Sequence, residues 1–115
     1  IMISCDINKM QRVFDNLLRN AVNYSYEGTN IKVFAELFNN NVCVKVINEG
    51  NTIPKEKLDR IFEQFFRLDT ARNSSSGGAG LGLAIAKEIV ELHHGTITAD
   101  SANGITCFEV VIPLS

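Results

Sequence analysis

Two groups of residues in this chain have types and spacings suited to chemistry. Gly77-Gly78-Ala79-Gly80-Leu81-Gly82-Leu83 places four glycines in six positions, directly before Ala84-Ile85-Ala86-Lys87-Glu88-Ile89-Val90 with its apolar residues at helical spacing. A flexible loop that ends at a helix start offers unbonded backbone N–H groups and the positive end of the helix dipole, a setting that suits a phosphate. Earlier in the chain, Asn16, Asn20 and Asn23 fall within a narrow arc of a helix advancing roughly 100° per residue, with Tyr24 at its edge. Asparagine is a mediocre helix former, so three on one face ask for a reason. A solvated face is the plain one. The chemical one is Mg²⁺, a hard cation that an amide carbonyl can ligate while water and substrate phosphates supply most of its shell.

The glycine spacing excludes two commoner phosphate loops. A Walker-type loop needs Lys and then Ser or Thr after its last glycine, but Gly82 is followed by Leu83 and Ala84. A dinucleotide fingerprint follows a strand, but Asn73-Ser74-Ser75-Ser76 precedes Gly77. The cysteines and histidines give no support to metal or disulfide chemistry. Cys5, Cys43 and Cys107 are scattered through apolar stretches with no CxxC pair, which reads as small buried hydrophobes. His93 and His94 precede Gly95 at a helix end, where a contact with the negative end of the dipole is expected.

The elements that position these residues follow from periodicity. At 115 residues the chain has room for one domain with a single two-layer core. Ile1 to Cys5 predicts a strand and Asp6 a helix cap, after which Met10, Val13, Phe14, Leu17, Leu18 and Ala21 form one apolar stripe to about Tyr24. Ile31 to Phe38, the turn Asn39-Asn40-Asn41 and Val42 to Ile47 predict a hairpin. Pro54 suits the first turn of a short helix over Lys55 to Phe62. Arg67 to Gly78 is polar and glycine-rich, and reads with Ala79 as a mobile lid. A helix from about Gly80 to His93, a strand Thr96 to Ala102, the turn Asn103-Gly104 and a strand Ile105 to Pro113 complete the chain. The expected architecture is α+β, a two-layer α/β sandwich whose mixed, mostly antiparallel sheet carries about three helices on one face.

Composition narrows the partners. A net charge of −2 without a basic block argues against nucleic acid or an anionic membrane surface. No apolar run approaches membrane-spanning length and no signal peptide opens the chain, while Ile1 is not a natural start, which marks the chain as a fragment of a longer protein.

Four stretches together carry a family resemblance. Asn16-Leu17-Leu18-Arg19-Asn20-Ala21-Val22-Asn23-Tyr24-Ser25 resembles the N box of two-component sensor histidine kinases, and Asn48-Glu49-Gly50 with Ile53-Pro54 resembles their first glycine box. Ile61-Phe62-Glu63-Gln64-Phe65-Phe66-Arg67 is similar to their F box, and Gly78-Ala79-Gly80-Leu81-Gly82-Leu83 to their second glycine box. Arg67-Leu68-Asp69-Thr70-Ala71-Arg72 leading into the glycines looks most like the vancomycin-resistance sensors, an antibiotic-resistance branch.

The resemblance implies a GHKL-type ATP-binding domain with ATP and Mg²⁺ as its small-molecule partners. Asn20 would ligate Mg²⁺, and Asn16 would support the metal or the phosphates as a catalytic residue. Tyr24 would stack beside adenine, Asn48 would hydrogen-bond its exocyclic amine, and Gly50 would let the backbone approach the ring, with Ile53 in the same box. Arg67 would steady the transferred phosphoryl group. Gly78, Gly80, Leu81, Gly82 and Leu83 would hold the phosphates, with Asn23 and Arg72 within reach of them. The acceptor histidine would lie on a separate dimerisation domain, and a response regulator would act downstream. The parent would be a membrane-anchored homodimer in a bacterium, and this piece its cytoplasmic, monomeric catalytic domain.

Two departures from the family pattern bear on that expectation. Lys is common where this chain has Asn23, so one phosphate-neutralising charge is missing. The adenine-reading position is commonly Asp but is Asn48 here, and a neutral in place of a charge-assisted hydrogen bond weakens binding by about 1 kcal/mol. Related ATPases place a water-activating Glu one turn before the metal Asn, where this chain has Asn16, an amide unable to take a proton. A self-sufficient ATPase, a serine kinase of the anti-sigma type and a non-catalytic interaction domain are the competing readings.

Overall fold

A computed structural model describes residues 7–66 and 82–113 of the chain. The expected strand Ile1–Cys5, the Asp6 cap and the expected lid at 67–79 lie outside the described residues. The described elements run α1 (Ile7–Tyr24), β1 (Lys32–Phe38), β2 (Asn41–Glu49), α2 (Lys55–Leu58), α3 (Gly82–Leu92), β3 (Thr96–Ala102) and β4 (Ile105–Pro113).

The strands form one four-stranded sheet in the order β1-β2-β4-β3, and every pairing among the described residues is antiparallel. Two tight hairpins supply the outer pairings. Asn39 and Asn40 (φ 50° and 64°) and Asn103 and Gly104 (φ 53° and 78°) each take the left-handed backbone that a two-residue hairpin turn requires. Asn41 therefore belongs to β2, opposite Phe38 and Pro113, rather than to the turn.

Side-chain alternation decides which face is covered. In β4, Thr106, Phe108, Val110 and Ile112 are buried, while the odd-numbered residues between them are more open. Their cross-strand partners Val46, Asn48 and Ile97 are buried with them. Met10, Val13, Leu17 and Ala21 of α1 and Ala86, Ile89 and Val90 of α3 close the core over this face. Each large side chain fully buried there contributes about 1.5–3 kcal/mol, which places most of the fold's stability in this layer.

The same alternation corrects the expectation for two cysteines. Cys43 and Cys107 occupy odd positions, so they sit half-buried on the uncovered face, not in the core. The Cys43 thiol donates to Glu109 Oε2 at 2.9 Å, and Lys45 Nζ lies 3.9 Å from the same oxygen. That hydrogen bond, with burial and the carboxylate charge behind it, pushes the Cys43 thiol up to about 11.

The helix ends differ from the expectation in informative ways. Past Leu58, α2 gives way to turns with i to i−3 bonds, Arg60 N–H to Lys57 O and Glu63 N–H to Arg60 O. This tightening carries Ile61 into the core and sets the Phe62 ring edge-on to Phe108, centroids 6.1 Å apart. Phe66 is half-buried beneath the Arg60 guanidinium, whereas Phe65 is exposed with φ 66°. At the end of α3, Gly95 N–H bonds Val90 O at 2.9 Å and His94 N–H bonds Glu91 O at 3.0 Å, a Schellman cap with His94 as the left-handed residue (φ 63°). His93 Nδ1 lies 2.8 Å from Ile89 O, the C-terminal contact expected of it.

Candidate functional site

Residues Asn16, Asn20 and Tyr24 recur at i, i+4 along α1, half-buried beside the apolar stripe. Asn16 and Tyr24 stand about 12 Å apart along the helix axis. The two ends of this polar track meet different surroundings.

At the Tyr24 end, α1 abuts the exit of β2. Tyr26 N–H donates to Glu49 O at 2.8 Å, and Ser25 and Gly50 form an isolated bridge. Gly50 is buried, and a Cβ there would run into the Tyr24 carbonyl oxygen. The small residue is thus required by the approach of α1's last turn to the strand exit. The β3–β4 turn holds the loop that follows: Gly50 N–H donates to Gly104 O at 2.9 Å, and Gly104 N–H to Thr52 Oγ1 at 2.7 Å. Ile53 is buried, and its N–H donates to Ser101 Oγ at 2.8 Å.

These contacts frame a hollow of about 280 Å³ lined by Asn20, Tyr24, Asn48, Asn51, Thr52, Ile53, Pro54, Lys57 and Thr106. Its floor is polar although it lies on the core face of the sheet. Asn48 and Thr106, paired across β2 and β4, are each 3% exposed and are the buried polar residues among those described. Thr106 Oγ1 lies 2.8 Å from Ser101 Oγ. The Asn48 amide has no hydrogen-bond partner, and no sealed side-chain polar atom among the described residues is left unsatisfied, so its polar atoms face the hollow. Water meets these atoms in the open hollow, and a ligand with matching groups can replace it.

At the other end of the track, a side-chain carbon on Gly82 would touch Asn16 Oδ1 at 3.4 Å. Asn16 therefore lies against the first turn of α3, where the backbone N–H groups and the dipole favour an anion. The arrangement is a hollow with a polar floor, joined along one helix to a helix start that favours an anion.

The structure brings together several residues singled out in the sequence: Asn20, Tyr24, Asn48 and Ile53 at the hollow, Gly50 beside it, and Asn16 with Gly82 at the α3 start. Leu83 is half-buried against the core. Asn23 is exposed and does not line the hollow. Arg67, Arg72, Gly78, Gly80 and Leu81 lie outside the described residues. Sequence reasoning did not single out Asn51, Thr52, Lys57 or Thr106. The available signal for Thr106 was a hydroxyl at a position whose alternation faces the core.

The donor set around Asn20 contains no group of three His, Cys, Asp or Glu among the described residues. A cation at Asn20 would have one amide oxygen from the chain and would take the rest of its shell from water and phosphate, as Mg²⁺ can. No helix among those residues is long and apolar enough to cross a membrane.

Fold and site together describe a two-layer α/β domain with a polar hollow at one end of α1 and the start of α3 beside the helix further back. Residues 5–115 match the family model described as histidine kinase-, DNA gyrase B-, and HSP90-like ATPase, and the chain belongs to this family. It is 49% identical over 113 residues to the sensor protein VanS of Enterococcus faecium, covering 98% of this chain and 29% of VanS. With the sensor protein kinase WalK of Staphylococcus aureus it shares 42% identity over 106 residues, 90% of this chain and 26% of that one. Among solved structures, the mycobacterial sensor histidine kinase MprB superimposes with a TM-score of 0.86 at 30% identity, over 97% of this chain and 76% of that one. Full-length ShkA in complex with AMPPNP superimposes at 0.80 and 25% identity, over 93% of this chain and 22% of that one. The chain spans about 30% of the length of the VanS-type sensors it matches. Its likeness within the family is to the catalytic domains of sensor histidine kinases.

Proposed function

We propose that this domain binds Mg-ATP with its base in the hollow and its phosphates at the start of α3, and passes the γ-phosphoryl group to a histidine on a separate helical domain of the parent chain. The carrying observation is the buried, unpartnered Asn48 amide that opens onto the hollow at one end of the track leading to Asn16 and Gly82. ShkA, which shares the fold, was solved with AMPPNP, an ATP analogue, and that supports the assignment of the ligand.

In the proposed reaction the imidazole nitrogen of the acceptor forms a bond to the γ-phosphorus as the bond to the bridging oxygen breaks and ADP leaves. Tyr24 and Asn48 hold the base, and Asn20 offers its amide oxygen to the cation. Magnesium, when bound, supplies neutralisation of the phosphate charge. Asn16 cannot act as a base towards water, which keeps the triphosphate intact until the acceptor docks. Arg67, outside the described residues, is the proposed contact to the transferred group. By the same proposal the parent is a dimeric, membrane-anchored bacterial sensor with this domain on the cytoplasmic side, acting on a response regulator.

The test is calorimetric titration of the chain with AMPPNP, with and without Mg²⁺, on the natural chain and on Asn20→Ala. Magnesium-assisted binding that weakens about tenfold or more in Asn20→Ala is expected. Binding that is equally tight without the metal, or unchanged in the variant, refutes the assignment of Asn20. Steady phosphate release from ATP by the isolated chain would favour an ATPase instead.

A further inference from the structure

The floor of the hollow has no fixed sense of donor and acceptor. Asn48, 3% exposed, carries a carbonyl acceptor and an N–H₂ donor on one amide. Neither is engaged by a protein group, so nothing pins the amide in one of its two flipped orientations. Across the strand pair, the Thr106 hydroxyl is equally reversible. Ser101 Oγ accepts from Ile53 N–H and retains both a lone pair and its own hydrogen. In its 2.8 Å contact with Thr106 Oγ1 either oxygen donates. Thr106 consequently offers a ligand its O–H when Ser101 donates to it, and a lone pair when it donates to Ser101.

Resting on the nucleotide reading above, we propose that this hollow takes 6-oxopurine nucleoside triphosphates, those of inosine and guanosine, as well as the 6-aminopurine ATP. Towards adenine, Asn48 Oδ1 accepts from the 6-amino group while Nδ2 donates to N1. After a half-turn of the amide, Nδ2 donates to O6 of a 6-oxopurine and Oδ1 accepts from its N1–H. The Ser101–Thr106 pair reverses to match. A carboxylate at position 48 would be an acceptor only and would face O6 with lone pairs against lone pairs. A buried mismatch of that kind is what makes a site reject an analogue. Asn48 is thus the residue that sets base selectivity, and in this chain it sets it low.

The experiment is a competition titration of the chain with the non-hydrolysable adenosine, inosine and guanosine triphosphate analogues in the presence of Mg²⁺. Inosine isolates the 6-oxo edge from the additional 2-amino group of guanine. In the natural chain the inosine analogue is expected within about tenfold of the adenosine analogue, and in Asn48→Asp roughly a hundredfold weaker than it. Guanosine binding alongside inosine supports the full proposal, whereas its exclusion supports the edge argument and removes guanosine from it. An inosine analogue bound roughly a hundredfold more weakly than the adenosine analogue by the natural chain overturns the proposal without touching the ATP assignment. Failure of all three analogues to bind overturns both. The natural chain decides the matter by itself, whether or not Asn48→Asp folds.

Discussion

Replacing Gly50 by alanine tests the junction on which the hollow depends. Gly50 is not in the left-handed region, so alanine meets no backbone penalty, and any effect comes from the added carbon meeting the Tyr24 carbonyl. That neighbour is backbone and cannot rotate away. Relief requires α1 and the β2 exit to separate, at about 1–3 kcal/mol for overpacking. Separation strains the Tyr26–Glu49 and Gly50–Gly104 hydrogen bonds, and losing one adds about 1 kcal/mol. The expected total is about 2–4 kcal/mol. At about 2.1 cal/mol/K of unfolding entropy per residue, a 115-residue chain loses about 4 °C of Tm per kcal/mol, which gives a fall of about 8–16 °C. Gly28→Ala is the matched control: its φ is 81° and nothing lies within 4 Å of an added carbon, so only the conformational cost of about 1 kcal/mol is expected. Urea unfolding followed by circular dichroism measures both. A Gly50→Ala midpoint equal to that of the natural chain, or a Gly28→Ala loss larger than the Gly50→Ala loss, refutes the close-approach argument.

Cys43 should resist alkylation near pH 8, because a thiol pushed up to about 11 is almost wholly protonated there. Glu109→Gln should accelerate its labelling by more than about tenfold, read by peptide mass mapping, and equal rates would discount the hydrogen bond. Folded Cys43 holds its proton more tightly than the unfolded thiol, whose ordinary value is 9.0, so its contribution to stability is present below about pH 9 and is lost as pH rises towards 11. Urea midpoints across that window should fall less steeply in Glu109→Gln. His94→Gly, at the left-handed cap position, should stabilise the chain by about 0.5–1 kcal/mol in the same unfolding assay.

Local pattern carried much of this fold. The stripe from Met10 to Ala21 and the Asn103-Gly104 turn have one reading each, and α1, β3 and β4 lie where periodicity puts them. Non-local pairing explains the differences. β2 runs on through Asn48 and Glu49, polar residues that end a strand by pattern, because Thr106 and Ile105 of β4 are there to pair with them. Helical spacing extended α2 to Phe62, but the demand that Ile61 reach the core prevailed. At the site, Asn20 and Tyr24 were legible because a helix face is a local property. Thr106 was not, because threonine is an ordinary strand residue and only the assembled sheet sets its hydroxyl beside Asn48. Gly50 was legible as a necessary glycine but for another reason than its packing against Tyr24.

The clamp of the Asn103-Gly104 turn on the Gly50–Thr52 loop has a bearing on biosynthesis. One wall of the hollow comes from residues 20–24 and another from residues 48–57, which meet at Tyr26–Glu49 and Ser25–Gly50, while Gly104 fastens the 50–52 loop and Thr106 completes the floor. A ribosome-bound chain that has emerged only through α3 already owns the asparagines and the helix start, yet lacks Thr106, the half of the floor that pairs with Asn48. A ligand of the hollow therefore selects for chains whose final hairpin is in place, and by binding them it would draw the folding equilibrium of the whole domain towards completion.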